Sequence, residues 1–306
     1  MKLKIIKDYL KEKTKEYLHS ISLFKYRKSS KRYKFWNGRR ERNFLKEICR
    51  LQHHTNNESI KVSVIMPAYN RVNIIDKALQ SIINQSHSNW ELIIVDDGSD
   101  DGLDEYIDKF SSDKRVNYHK KLRGGVSQAR NYGLEMSKGK YIFYLDTDNT
   151  WYPDFLRNMV LFMEHSTLDA CYSGISIKDD NGSIIGYYGE EFNWKECWEL
   201  NHIDINGFAH RSDLLKEGYR FDETLTRLVD WDFILAITAM HRTAYAPFLG
   251  VEYYDGSQGK RITYTEHLGD EITDVIKYIQ IKHQKLLYNL ATKSKHLRPN
   301  WKDILG

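Results

Sequence analysis

Between residues 62 and 145, short apolar runs of strand length alternate with stretches whose apolar positions recur at helical spacing. The runs at 62–66, 92–95, 116–119 and 141–145 predict strands, and the stretches at 74–83, 103–110 and 126–136 predict helices between them. Such alternation builds a largely parallel sheet with helices on both faces, in which ligands settle beyond the carboxyl ends of the strands. After residue 170 the rhythm changes. Short β-rich pieces at 171–177 and 184–188 flank the turn Asp180-Asn181-Gly182; a helix is expected at 233–240, a strand at 244–249 and a long amphipathic helix at 272–290. The second half therefore reads as mixed.

Upstream of the first strand, Ile6, Leu10, Tyr17, Ile21 and Phe24 recur at helical spacing among lysines, which predicts a basic amphipathic helix. Tyr26, Tyr33, Phe35 and Trp36 then alternate with basic residues as far as Arg42, a composition suited to phosphates and a lipid headgroup layer. Residues 53–59 are polar and read as a linker. Charge sharpens the picture, because residues 1–50 hold 17 Lys and Arg against 5 Asp and Glu while the whole chain nets only +4. A basic arm on an acidic body points to an anionic partner, and residues 1–42 are expected to contact an anionic membrane surface. Packing of the arm on the body is the competing reading, and nucleic acid is the least favoured partner.

With 306 residues, 41% of them hydrophobic, the chain can bury the core of a catalytic domain. No apolar stretch approaches the roughly 18–20 residues that span a bilayer, and the charged N-terminus lacks the apolar run of a signal peptide. Cytoplasmic localisation, peripheral on the inner membrane face, is the expectation. Cys49, Cys171 and Cys197 are far apart and lack metal-ligand spacing, so they read as reduced thiols. The sequons at Asn57 and Asn181 are then chance matches.

Polar clusters follow three of the apolar strands: Pro67-Ala68-Tyr69-Asn70, Asp96-Asp97-Gly98-Ser99 and Asp146-Thr147-Asp148-Asn149. The predicted topology would bring them together. Two carboxylates one residue apart at a strand end can hold a hard divalent cation, and through it a diphosphate. Alone, an Asp-x-Asp is weak evidence, since strand-end carboxylates also cap helices and solvate loops. The ordered set is stronger: VSVIMPAYN at 62–70, IVDDGS at 94–99, GGVSQARN at 124–131 and GKYIFYLDTD at 139–148.

This run closely resembles family 2 glycosyltransferases of the GT-A fold over about residues 61–151, and more loosely to about 265. The resemblance implies a Rossmann-like, mostly parallel α/β sheet with a mixed acceptor-side half and a basic helical N-terminal extension. In domain terms it implies an extension and linker at 1–58, a GT-A domain at 59–268 with donor half 59–150 and acceptor half 151–268, and a C-terminal helical segment at 269–306. It also implies an inverting, Mn²⁺- or Mg²⁺-dependent transfer of a hexosyl or N-acetylhexosaminyl group. The donor would be a nucleotide sugar, UDP-linked, and the acceptor a glycan or lipid-linked hydroxyl in cell-surface polysaccharide synthesis.

Carried over residue by residue, Tyr69 would lie against the nucleobase, with the backbone at Pro67 and Ala68 on the nucleoside. Asp97, with Asp96 beside it, would accept from the base or ribose, and Arg130 would reach the base or diphosphate. Asp146 would hold the ribose or a metal-bound water, with Thr147 in the same donor cluster, and Asp148 would ligate the metal. Each has a plainer competitor: a packed turn for Tyr69, a cap of the following helix for Asp97, a structural ion pair for Arg130.

An inverting transfer also needs a base for the acceptor hydroxyl. Relatives place it in a Glu-Asp pair before an aromatic residue, and here Val229-Asp230-Trp231-Asp232 stands at that place. Asp230 is the candidate, Asp232 the alternative if the helix is rotated, and Trp231 either an acceptor platform or core. Three departures stand out. Val229 replaces the glutamate, Arg123 replaces an asparagine before the Gly-Gly turn and makes the donor contact there ionic, and the late loop from Tyr253 to Arg261 offers Asp255, Lys260 and Arg261 but no histidine. A noncatalytic nucleotide-sugar-binding scaffold and a sugar-nucleotide pyrophosphorylase are the rival functions; Pro67-Ala68-Tyr69-Asn70 stands where the latter needs a glycine-rich loop.

Overall fold

A computed structural model describes residues 36–52, 59–199, 201–254, 270–293 and 299–305. The expected amphipathic helix at 3–24, most of the 53–59 linker and the late loop from Asp255 lie outside these residues. The chain opens with α1 (Gly38–Gln52) and enters β1 (Val62–Ala68), α2 (Ile75–Ile83), β2 (Trp90–Asp96), α3 (Leu103–Ile107), a 3₁₀ turn at Asp108–Phe110, and β3 (Val116–Lys120). Next come α4 (Val126–Met136), β4 (Tyr141–Tyr144), β5 (Asn149–Trp151), α5 (Phe155–Ser166), β6 (Ala170–Lys178), β7 (Ile184–Tyr188) and α6 (Trp194–Glu199). Then follow β8 (Phe208–Arg211), α7 (Val229–Met240), β9 (Thr243–Tyr254), α8 (Asp270–Lys293) and α9 (Trp301–Leu305).

One sheet runs through the described residues in the order β3-β2-β1-β4-β8-β6-β9-β5, with β7 added on β6. Its first four strands are parallel, with Val64 opposite Leu92 and Phe143. Helices cover both faces there, which is why β2 is buried at every residue and reads as a continuous apolar run rather than an alternating one. Pro67 is tolerated in β1 because the ladder to β4 ends at Ile65, so no bond is lost there. Gly133 lets α4 lie close on β1, since a Cβ at that position would stand 2.6 Å from Ile65 Cγ2.

Beyond β4 the sheet turns mixed: β8 is antiparallel to β4 and β6, while β6 and β9 are parallel. Thus the α/β class with a mostly parallel first half and a mixed second half holds. The strand and helix expected at 244–249 and 233–240 both extend further than their patterns suggested. Among the elements the patterns did not announce is α5, and the helix expected at 233–240 begins a turn earlier, at Val229. Each is buried on nearly every side, so neither shows a one-sided apolar stripe.

The described part of the expected basic extension is not a free appendage. Phe44 and Ile48 of α1 are buried in the main core, the Phe44 ring stacking on Phe248 at 5.7 Å and meeting Phe162 edge-on at 5.2 Å. Where the pairing of β6 and β9 shifts register, Leu249 N donates instead to Glu41 Oε1 at 2.8 Å. Trp36 closes over Gly174, whose absent side chain leaves the space its ring fills. Burial of the Phe44 ring contributes about 2–3 kcal/mol by area. Residues 36–52 therefore belong to the body's packing. No helix among the described residues is long and apolar enough to cross a membrane.

Candidate active site

The strand order reverses at β1, with β2 on one side and β4 on the other, so the crevice at their carboxyl ends is the natural ligand position. All three polar clusters converge there. Ala68 ends β1, and its carbonyl accepts from Asp97 N at 2.8 Å. The chain then turns at Asn70, held at φ 51° by Ser99 Oγ, which accepts from its N–H at 2.9 Å. Tyr69 lies beside this turn, and the Arg123 guanidinium sits over its ring at 4.2 Å. Two expected donor residues thus meet across the crevice mouth.

The adjacent aspartates of β2 divide their work. Asp96 is 0% exposed; Oδ1 accepts from Ser99 N at 2.8 Å and from Ser99 Oγ, and Oδ2 accepts from the Tyr118 hydroxyl. Facing inward with both oxygens engaged, Asp96 departs from the expected ligand contact and braces the strand end instead. Asp97 turns the other way. Its Oδ1 accepts from Gly124 N and Lys121 Nζ, both at 2.8 Å, and its Oδ2 from Gly125 N at 2.7 Å. The expected cap of the helix after Gly98-Ser99 is therefore not its role; it secures the Gly-Gly turn that opens α4. Gly125 has φ +90°, a conformation that a side chain would strain.

That turn aims Arg130 inward from α4. Arg130 is 4% exposed, donates from Nη2 to Asp146 Oδ1 at 2.8 Å, and lies over the Phe221 ring at 5.3 Å. Its Nε is buried without a hydrogen-bond partner among the described residues. Burial acts to lower the Arg130 pKa, but Asp146 and Asp230 outweigh it and hold the guanidinium charged. Asp146 and Asp148 flank the buried Thr147 and are themselves only partly buried, so both carboxylates border the crevice.

Asn206 and Asp204, in the loop before β8, join this cluster, although spacing gave no sign of them. Asn206 Oδ1 accepts from Asp146 N at 2.6 Å, while its Nδ2 donates to Asp204 Oδ1 at 2.7 Å and, more weakly, to Asp146 Oδ2 at 3.4 Å. Burial, with smaller help from the charges of Asp230 and Asp146, raises the Asp204 pKa to about 6 against the Asn206 donors. The only sequence signal was a polar Asp-x-Asn between apolar neighbours.

Asp230 enters the same field from the first turn of α7. Burial raises its pKa, Arg130 opposes, and Asp146 adds to the rise. Asp232 points elsewhere: it is 1% exposed and bonded to Lys282 Nζ and His283 Nε2, both at 2.8 Å. Two positions on a helix differ by about 200°, which separates the pair completely. Trp231 is 0% exposed, with Nε1 donating to Cys197 O at 2.6 Å, so it is a core residue and not an acceptor platform. Val229, in the place of the usual glutamate, packs into the same core.

A divalent cation was expected at Asp148. Among the described residues no three His, Cys, Asp or Glu side chains are grouped to hold a metal. The donor chemistry still fits, because a hard cation that binds with a diphosphate takes one or two protein carboxylates and completes its shell with phosphate oxygens and water.

Residues 63–217, just over half of the chain, match the family described as Glycosyl transferase family 2. Chondroitin synthase of Pasteurella multocida is 32% identical over 184 residues, 58% of this chain and 19% of that protein. The UDP-Glc:alpha-D-GlcNAc-diphosphoundecaprenol beta-1,3-glucosyltransferase WfgD of Escherichia coli is 31% identical over 127 residues, 42% of this chain and 50% of that protein. The matches cover between 18% and 50% of the length of such curated relatives. In fold, the crystal structure of S. aureus TarS 1-349 in complex with UDP-GlcNAc superposes with a TM-score of 0.60 at 19% identity, covering 76% of this chain and 72% of that one.

Proposed function

The chain belongs to glycosyl transferase family 2, and from that premise we propose that it is an inverting transferase moving a sugar from UDP to a glycan or lipid-linked acceptor in polysaccharide synthesis. One observation carries the reading: Arg130, Asp146, Asp204 and Asp230 share one electrostatic field at the carboxyl end of the parallel strands. The UDP donor is supported by the UDP-GlcNAc complex of TarS and by the donor in the name of WfgD, whose named acceptor is a GlcNAc carried on diphosphoundecaprenol.

In this reading the base of the nucleotide lies against Tyr69, near Pro67 and Ala68, with Arg123 moving from the ring to the ligand and Asp97 fixing the turn that carries it. Arg130 faces the diphosphate side of the crevice, and its unpaired Nε is a donor in waiting. Asp148 would hold Mn²⁺ or Mg²⁺, with Asp146 beside it. The cation supplies charge that neutralises the departing diphosphate. Asp230 accepts the proton of the acceptor hydroxyl as its oxygen bonds the anomeric carbon and the bond to phosphate breaks. A raised pKa suits that task, since it makes the carboxylate a stronger base.

We also read residues 1–42 as meeting an anionic lipid surface, supported by Arg39 and Arg42 lying exposed on α1. Deleting residues 1–35, which spares α1, should weaken binding to anionic liposomes. The activity itself is tested with UDP-, GDP- and dTDP-sugars plus Mn²⁺ or Mg²⁺, with and without lipid-linked acceptors, read as nucleoside diphosphate release. Acceptor-stimulated release from a UDP-sugar is expected; no release from any donor would sink the proposal.

A further inference from the structure

The first turn of α7 is poorly held by its own sequence. Leu228, at its N-terminal boundary, sits at φ 54° and gives no side-chain cap, although a serine, threonine or aspartate there would have tied the free amides. Val229 and Trp231 anchor the turn in the core, and contacts from a second helix add to the hold on it. Across the molecule, α8 packs on α7 through the buried Ile276 and Ile279, and the side chains that follow them reach the turn. His283 Nε2 meets Asp232 Oδ1 at 2.8 Å, and Lys282 Nζ donates to Asp232 Oδ2 at 2.8 Å.

Lys282 makes a second bond, 2.7 Å to Asp222 Oδ2, an oxygen that also accepts from the Tyr278 hydroxyl at 3.1 Å. Asp222 lies between Phe221 and Glu223, and both of these are clamped by Asn131: its Nδ2 donates to Phe221 O at 2.9 Å and to Glu223 Oε1 at 2.8 Å, and its Oδ1 accepts from Phe221 N at 2.9 Å. Asn131 is the neighbour of Arg130 on α4. A single ammonium group therefore ties both ends of the segment 222–232, which carries Asp230, to α8, while Asn131 ties the first of those ends to α4, the element that carries Arg130.

We propose that Lys282 of the C-terminal helix is a positioning residue for transfer, holding the Asp230 carboxylate toward Arg130 by tying Asp232 and Asp222 together. The inference rests on Asp230 being the base. A purely structural ion pair would cost stability when broken but leave each folded molecule as active as before. A positioning role would lower kcat in the folded enzyme, because misplacing a reacting group by about 1 Å costs up to roughly 10²-fold.

The test compares Lys282→Met, Lys282→Arg, Ile276→Ala and Asp230→Asn in the full chain, with turnover read as nucleoside diphosphate release from the donor selected above and corrected for folded fraction. Lys282→Met should lower kcat about 10- to 100-fold with the donor KM within about twofold, and Lys282→Arg should recover most of it. Ile276→Ala, which loosens the same helix without touching the ties, should keep its kcat per folded molecule. Amide exchange over residues 222–233, which needs no substrate, should quicken in Lys282→Met while the β1 to β4 peptides stay as protected as before. Unchanged kcat or unchanged exchange in Lys282→Met, or an equal kcat loss in Ile276→Ala, would overturn the positioning role. Normal turnover of Asp230→Asn would instead overturn the base assignment.

Discussion

The chain carries the pattern Asp-x-Asp twice, at Asp146-Thr147-Asp148 and at Asp230-Trp231-Asp232, and the two behave oppositely. In the turn that follows β4, Asp146 and Asp148 are both partly exposed while Thr147 is buried between them, so both carboxylates border the crevice. On a helix the same spacing sends them to different faces: Asp230 joins Arg130 and Asp146, whereas Asp232 is buried against Lys282 and His283. The first pair can act as a unit on one ligand. The second cannot, and only one of its members is free to meet a substrate.

The largest effect that would sharpen this contrast is on turnover. Asp230→Asn should lower kcat by about 10²–10⁴-fold, the usual range for losing a general base, with donor KM little changed. Steady-state nucleoside diphosphate release checks it, and normal turnover would make the helical pair as silent as its neighbour.

Next in size is Arg130→Met, which leaves Asp146 and Asp230 without their shared counter-charge. Breaking a fully buried pair costs about 3–5 kcal/mol; with the Asp146 side chain 31% exposed, a loss of roughly 2–3 kcal/mol in denaturant unfolding is expected.

A pH profile separates the pairs further. The base must be ionised, and its pKa is raised by burial, so kcat/KM should fall with decreasing pH at a midpoint above the ordinary carboxylate range. An acid limb near pH 4 would contradict the buried setting of Asp230.

The smallest effect concerns Asp204. Its folded pKa of about 6 lies above the unfolded value of about 3.9. The folded state therefore holds its proton more tightly, and this contribution to stability is full below pH 4 and lost as pH rises through 6. Asp204→Asn does not titrate, so its Tm relative to the parent should be more favourable at pH 7.5 than at pH 4, by roughly 1–3 kcal/mol in stability terms. Equal differences at both pH values would remove Asp204 from the charged cluster.

Much of this site was legible because its donor half obeys simple periodicities. Apolar runs marked β1, β2 and β4, and the polar residues just after each run had to meet once the strands lay parallel. Residues 126–136 were helical at the expected bounds because α4 keeps one exposed face. Where burial is nearly complete, the signal fades: most residues of α5 and α7 are buried, and neither shows a one-sided apolar stripe. Lysines and arginines on its outer face hid the core role of Phe44 and Ile48 in α1. Asn206 bonds directly to Asp146, 60 residues earlier, and Asp204 reaches the site through Asn206 and through charge; no local spacing encodes such contacts. The same holds for Asp96, whose neighbour Asp97 looks identical in the sequence but faces the opposite side.

The account divides labour between the two pairs, donor and cation at the strand end, proton transfer on the helix. Titrating UDP in the presence of Mn²⁺ into the parent, Asp148→Ala and Asp230→Asn tests that division most directly. Asp148→Ala should bind at least about tenfold more weakly, and Asp230→Asn should bind within about twofold of the parent. Parent-like affinity in Asp148→Ala, or a matching loss in Asp230→Asn, would contradict it.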